Sequence, residues 1–494
     1  MISHWVLLSS LGCNTMFVEG SPTGETVDPD PTVSGDDDDD DTTSTSTLTE
    51  RPLAGGLTID KISLYQGVES VLYEDGKKPT TLEMPVITQR DGLLRVFLDP
   101  DADFEERKVV GVLTIVSADG DEVVEEKLKV EKVSKDDDLD STLNFFLAAD
   151  QIGQSTEFLL EILETEPSGI GGGARKDVTW DSDKEGGLDT ESTDDLTVVV
   201  VPVRYNADGS GRLPDTSAAQ LTLIEELVRG TYPAQKVTVV ADQPFDWDEP
   251  ITPFNGNQWG DILDAIGNYR ASKNEPPNTY YYGAFEPQSS VYSFCGAGCI
   301  AGLSYVGFGN DPFFRASVGL GYSGTITSET LVHEMGHAHG REHAPCGQGV
   351  SGIDPGYPYS GAALGSWGYD IVGQTLKDPN DWVDMMSYCT PIWISDYTFY
   401  SLYLRIQSVS TQRTIAAVPR TTLRLQDGGR SVMNGSVAIG DTSEAPPIEV
   451  TLFDADGQPM GTQTAALFPY SHVEGGLVVL DSELPEGWTA AVAD

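Results

Sequence analysis

Four of the six histidines in this 494-residue chain fall within nineteen residues, SETLVHEMGHAHGREHAPC, Ser328–Cys346. Few local structures can accommodate that stretch. Thr327 or Ser328 can cap a helix, with Glu329 in its first turn. On such a helix His333 and His337 are four apart and project from one face, while Leu331, Val332, Met335 and Ala338 supply apolar packing. Gly340 permits the left-handed conformation that ends a helix, so the chain can turn and bring His343 back toward the same point. Two neutral imidazoles at i and i+4 form a metal clamp, and three with a water form an open tetrahedral zinc site, the catalytic rather than the closed structural kind. Glu334, beside the first histidine, can reach an activated water without being a ligand. By helical spacing His339 faces away from the His333/His337 pair and is expected at the surface or behind the ligands.

The run His333-Glu334-Met335-Gly336-His337-Ala338-His339-Gly340-Arg341-Glu342-His343 has the form H-E-x-x-H-x-x-G-x-x-H and resembles the signature of the metzincin clan of zinc endopeptidases. A second point of resemblance lies downstream in DWVDMMSYC, because metzincins carry a methionine turn beneath the metal. Met386 fits that position, with Met385 as the competitor, and its thioether would be packing and not a ligand. Tyr388, two residues on, resembles a tyrosine that in some branches binds zinc or stabilises the oxyanion; a core tyrosine is the plainer alternative.

The resemblance covers about 195–407 and is nearest to large secreted bacterial metzincins, some of which cleave glycoproteins. It implies one catalytic Zn2+ held by His333, His337 and His343. Glu334 would be the general base and later the proton donor to the leaving amine. It also implies peptide binding by β-addition to an edge strand, placed at AGLSYVG through backbone groups of Gly302, Leu303, Ser304 and Tyr305. No cysteine-switch pro-segment is evident, so latency would need another basis. The expected fold is an α/β (α+β) metzincin-like domain with a twisted mixed sheet and an active-site helix, flanked by β-sandwich-like modules.

Texture along the chain divides it accordingly. Residues 1–19 hold a short apolar run ending at Cys13, which reads as a lipoprotein-like signal with Cys13 the lipidation candidate, or as a plain signal peptide. Residues 20–54, with the run Asp36–Asp41, cannot bury a core and read as a disordered acidic tether. Residues 55–168 alternate apolar and polar between Asp/Gly turns, one of them a hairpin through Asp119-Gly120, and read as a β-sandwich-like domain. Residues 169–194, rich in Gly and Asp, read as a linker. Residues 195–412 turn α/β: DLTVVVVPVRY is a buried strand and DTSAAQLTLIEELVRGTYP a capped amphipathic helix with Leu221, Ile224, Leu227 and Val228 on one face. Residues 413–494 return to β signals and read as a small sandwich module without evident chemistry.

The five cysteines are Cys13 and an even set, Cys295, Cys299, Cys346 and Cys389. Four cysteines allow three pairings. If Cys346 and Cys389 both lie near the metal, as the resemblance implies, a Cys346–Cys389 bridge would pin the methionine turn to the ligand loop. Cys295–Cys299 would then close a tight local loop. The segments DPDADFEE (Asp99–Glu106) and DADGQ (Asp454–Gln458) faintly suggest Ca2+ loops but lack the full ligand spacing.

A formal charge of −49 argues against nucleic acid and anionic membrane surfaces, which need basic patches. The membrane enters only through an N-terminal lipid anchor. The expected protein is therefore a monomeric, exported zinc endopeptidase, on a bacterial cell surface or secreted, hydrolysing extracellular proteins or glycoproteins. The competing expectation is a surface adhesin or glycan-binding protein with a catalytically idle domain; a third is a zinc hydrolase of a non-protein amide.

Overall fold

The computed structural model describes residues 51–79, 84–118, 120–166, 178–183, 188–307, 311–347, 350–411, 416–426, 429–443 and 445–492. Cys13, the run Asp36–Asp41, the tether up to residue 50, Asp119 of the expected hairpin turn and residues 169–177 of the expected linker lie outside them.

The strands of the N-terminal part follow from period-two patterning. In Glu157–Glu164 alternate residues Phe158, Leu160 and Ile162 are buried, as a strand with one face on a core requires. Two four-stranded antiparallel sheets result. One runs Glu69–Glu74, Leu57–Tyr65, Gly92–Pro100, Leu143–Leu147; the other runs Glu122–Val130, Arg107–Val116, Glu157–Glu164, Thr179–Asp181. They share one apolar core that includes Ile59, Leu94, Leu113, Phe145 and Phe158. The expected linker is therefore partly structural. Thr179–Asp181 is a sheet strand whose Trp180 enters this core, and Thr190–Glu191 pairs with Val86–Ile87. Trp180 and Leu188 are both buried in this core.

The central part is a mixed sheet with helices on both faces. Its order is Val237–Ala241, Leu196–Tyr205, Thr279–Phe285, Ala316–Leu320, Gly302–Ser304; the first four strands are parallel and the last is antiparallel. Every residue of Thr279–Phe285 is buried, as expected of a central parallel strand covered on both faces. Helices Ala218–Thr231, Thr325–Ala338 and Asp396–Thr411 cover one face, and Gly256–Ala271 the other. The buried guanidinium of Arg90 fastens the N-terminal part by donating to Tyr232 O at 2.8 Å and Ala234 O at 3.0 Å, at the end of the first helix. A cation suits the carbonyl-rich end of a helix.

The C-terminal part is one six-stranded sheet, not a sandwich: Ser431–Ile439, Val418–Leu425, Gly476–Val479, Pro459–Pro469, Pro447–Phe453, Thr489–Val492. It curls until its ends meet, Val492 N–H donating to Ser431 Oγ at 2.8 Å. Val437, Ile439, Phe468, Tyr470, Leu477 and Val479 join the core of the central part, and Phe468 stacks on Phe314 with centroids 3.8 Å apart. Arg424 forms a buried ion pair with Asp264 at 2.5 Å. Two regions that share a core in this way behave as one body.

Candidate metal centre

The helix that carries His333 and His337, Thr325–Ala338, is capped three to four residues earlier than its side chains suggest. Gly324, at φ +98°, occupies the cap position, and Gln220 of the first helix takes the capping role: its side chain accepts from Gly324 N–H at 2.7 Å and donates to Gly324 O at 3.1 Å. Thr327 and Ser328 lie inside the helix, Ser328 Oγ donating back to Thr325 O at 2.9 Å. Gly340, at φ +84°, follows the helix end, and a Cβ there would stand 2.8 Å from Gly307 O. The position therefore requires glycine both for its left-handed backbone and for the close approach of the neighbouring segment.

His333, His337 and His343 converge. The Nε2 atoms of His333 and His343 each lie 3.1 Å from Nε2 of His337. Each Nδ1 faces a backbone carbonyl: Met385 O at 2.7 Å, Arg341 O at 2.6 Å and Ser351 O at 2.7 Å respectively. A carbonyl only accepts, so each Nδ1 carries the proton and each Nε2 presents a lone pair. Burial, followed by the neighbouring histidines, pushes all three toward the neutral form, His333 to about 3 and the other two well down. Three lone pairs facing one another call for a cation between them. Nitrogens 2.0–2.1 Å from a tetrahedral ion would be about 3.3 Å apart, close to the observed spacing, so the donor set fits a metal such as zinc.

Met386 lies under the helix. A Cβ on Gly336 would stand 2.3 Å from its Sδ, so this unspecified position of the motif has a packing reason to be glycine. Met385, the competitor, contributes its carbonyl to His333 instead. Buried Asp384 holds the turn, accepting from Met386 N–H at 2.8 Å and Ser395 N–H at 3.0 Å. Disulfide bonds join Cys346 to Cys389, with Cα atoms 5.8 Å apart, and Cys295 to Cys299, 4.7 Å apart. The first ties the methionine turn to the loop bearing His343.

Two expectations need correction. His339 is neither at the surface nor behind the cluster of His333, His337 and His343. It is fully buried, stacked on Tyr280 at 4.0 Å, with Nδ1 on Met335 O at 2.7 Å. The face opposite the ligands is covered by the sheet, so pointing away from the metal means pointing into the core. The segment Gly302–Tyr305 is the outermost strand of the central sheet, but its outward edge is not open at Ser304 and beyond. Ser471 N–H donates to Ser304 O at 3.0 Å, Ser304 N–H to Ser471 Oγ at 3.1 Å and Val306 N–H to Pro469 O at 2.9 Å, and Tyr305 pairs with Tyr470. Gly302 backs onto the carboxylate of Glu334: a Cβ there would stand 2.5 Å from its Cγ. Leu303 is buried between sheet and helix.

The C-terminal part also supplies a residue that the sequence reading passed over. His472 Nε2 lies 2.6 Å from Glu334 Oε1, and its Nδ1 lies 2.5 Å from the Tyr388 hydroxyl. Ser471 Oγ donates to the other oxygen, Glu334 Oε2, at 3.3 Å. The ligand atoms of His333, His337, His343 and His472 all lie within 4.8 Å of one another. Burial and Glu334 push the Tyr388 hydroxyl up, so it stays protonated and can donate. The signal for His472 was histidine scarcity: apart from His4 it is the one histidine outside the motif.

The sequence model of the Peptidase M66 family matches residues 308–390. This segment contains the three converging histidines, Glu334 and the methionine turn, and the match supports a metallopeptidase. The chain is also similar to metalloproteinase-II from Bacteroides fragilis, a solved structure, at 10% identity and a TM-score of 0.24, over 65% of this chain and 83% of that one. Likeness at that level is too slight to inform the fold. No curated protein matches the chain.

Proposed function

We propose that the chain is an exported, zinc-dependent endopeptidase of the metzincin type that hydrolyses peptide bonds in extracellular proteins or glycoproteins. The observation that carries the reading is the convergence of three carbonyl-anchored, neutral imidazoles at 3.1 Å beside a buried carboxylate that is not itself one of them. When bound there, a zinc ion supplies Lewis acidity and activates water. The chain's own groups do the rest. Glu334 takes the proton from the attacking water and returns it to the leaving amine. Tyr388, once its hydroxyl is free of His472, would donate to the developing oxyanion. Asp384, Met385 and Met386 hold the ligands in register.

The idle-platform alternative is disfavoured by the intact Glu334, since a binding surface has no use for a buried base. The test compares Glu334 with Glu334→Gln in both the wild-type and His472→Ala backgrounds, reading metal content and cleavage of casein and of a mucin-type glycoprotein. One zinc per chain throughout, with cleavage only where Glu334 is present, is the expected result. Metal in all four proteins with cleavage in none would leave the binding platform as the better reading.

A further inference from the structure

The six centroid separations among His333, His337, His343 and His472 fall in one narrow range. The three within the motif are 4.8, 5.3 and 4.6 Å; those from His472 are 5.1, 5.1 and 4.9 Å. Four points so spaced are the corners of a nearly regular tetrahedron. Imidazoles around one tetrahedral zinc have centroids about 5 Å apart, given the usual Zn–N length. His472 therefore stands at the fourth corner, where an open catalytic site keeps its water. Among the described residues, these four histidines are the group whose donor atoms could hold one ion.

The neighbours of His472 lie on the strand edge where a peptide would be expected. Ser471 and Pro469 take the outward groups of Ser304 and Val306, and Tyr470 pairs with Tyr305. A peptide adding to that edge needs those same groups. One short segment thus occupies the fourth metal corner and part of the peptide edge together.

We propose that His472 is the fourth metal ligand and that the segment Pro469–Val473 is a built-in plug, closing the site into a four-histidine cage and holding the enzyme latent. The latency, though not the ligand set, rests on the peptidase reading above. In the structure the two ring nitrogens of His472 face Glu334 and Tyr388, and one of them would hold the metal in place of that contact. A closed cage of four protein ligands is the structural kind of zinc site, and only one with a position left for water is catalytic. While the plug is in place Glu334 is also held by Ser471 Oγ. The plug is a connection between two strands of the C-terminal sheet, Pro459–Pro469 and Gly476–Val479. Its release breaks two backbone–backbone hydrogen bonds to the edge, the bond from Ser304 N–H to Ser471 Oγ, the contacts of His472 and the packing of Tyr470 on Tyr305, and leaves Val437, Ile439, Phe468, Leu477 and Val479 of the shared apolar core in place.

X-ray absorption on the zinc-loaded full chain counts the imidazoles directly, and cobalt substitution reports the same shell by its visible spectrum. The wild type should show four nitrogen ligands. His472→Ala and the milder His472→Asn should each show three nitrogens and one oxygen, with unchanged circular dichroism and a tenfold or greater rise in cleavage. Three nitrogens and one oxygen in the wild type, unchanged in both variants, would overturn the proposal. So would a four-nitrogen shell that persists in the variants. Four nitrogens falling to three, with no cleavage in either variant, would uphold the ligand and remove the peptidase reading instead. If His472 only bridges Glu334 and Tyr388, the variants lose activity rather than gain it, and the latency claim fails.

Discussion

A Cβ placed on Gly336 would stand 2.3 Å from Sδ of Met386. Met386 sits under the active-site helix because the residue above it, between the two ligand histidines of that helix, has no side chain. Gly336→Ala should therefore push the methionine turn away and move Met385 O, the acceptor for His333. Overpacking of this kind costs about 1–3 kcal/mol, and chemical denaturation should show it together with weaker metal binding. The pair should couple strongly. In a Met386→Ala background, itself worth about 2–5 kcal/mol, the added cost of Gly336→Ala should shrink by more than half. Additive costs would show that the two residues do not compete for the same space.

Gly302 stands in the same relation to Glu334, where a Cβ would come within 2.5 Å of both Cγ and Oε1. Gly302→Ala leaves the three ligands untouched but forces the carboxylate to shift. Misplacing a base by about 1 Å can cost on the order of 100-fold. In the His472→Ala background, kcat/KM should fall by about tenfold or more, while zinc content stays at one per chain. Equal activity would mean that the carboxylate has room the structure does not show, and the role of Glu334 as a fixed base would have to be reconsidered.

These contacts also show what the sequence could and could not reveal. The motif helix was legible because its chemistry is local: i and i+4 on a helix, then a glycine turn, set His333, His337 and His343 within eleven residues. The burial of His339 was not, because helical spacing gives only a direction. What lies in that direction, Tyr280 and the sheet, comes from tertiary packing. His472 was out of reach for a stronger reason. It meets Glu334 across 138 residues, and nothing in FPYSHVEGG marks a ligand. Its approach depends on the apolar face of the C-terminal sheet docking on Phe313 and Phe314, a surface that the alternating strand pattern leaves without a named partner.

Removing the metal should destabilise the whole chain and not merely silence it. Without an ion, the Nε2 lone pairs of buried His333 and His343 each face that of His337 at 3.1 Å. A ligand that binds only the folded state stabilises it by about 2.7 kcal/mol at one hundred times its Kd, and by about 4.1 at a thousand. Chelation should lower Tm by several degrees, and stoichiometric zinc should restore it. Scanning calorimetry with and without chelator makes the measurement. A Tm that does not move on complete metal removal would mean that the histidine cluster does not depend on an ion.

The attachment that carries His472 to the metal centre depends on one buried charge pair. Asp264 accepts from Arg424 at 2.5 Å and from Asn434 Nδ2 at 2.9 Å, and the Tyr305 hydroxyl donates to its other oxygen. The side chains of Arg424 and Asp264 are only 7% and 11% exposed. Breaking such a pair strands a buried charge, at a cost of about 3–5 kcal/mol. Asp264→Asn should therefore lower stability by about that amount. Because the pair fixes the C-terminal sheet to the helix Gly256–Ala271, it should also loosen the plug and speed zinc loss to a chelator. Asp261 pairs with the same arginine but is 52% exposed, and Asp261→Asn should cost about 1 kcal/mol or less with no change in zinc release. Urea denaturation and stopped-flow release to a zinc indicator test both variants. If zinc leaves Asp264→Asn no faster than the wild type, the charge pair holds the module without governing the position of His472.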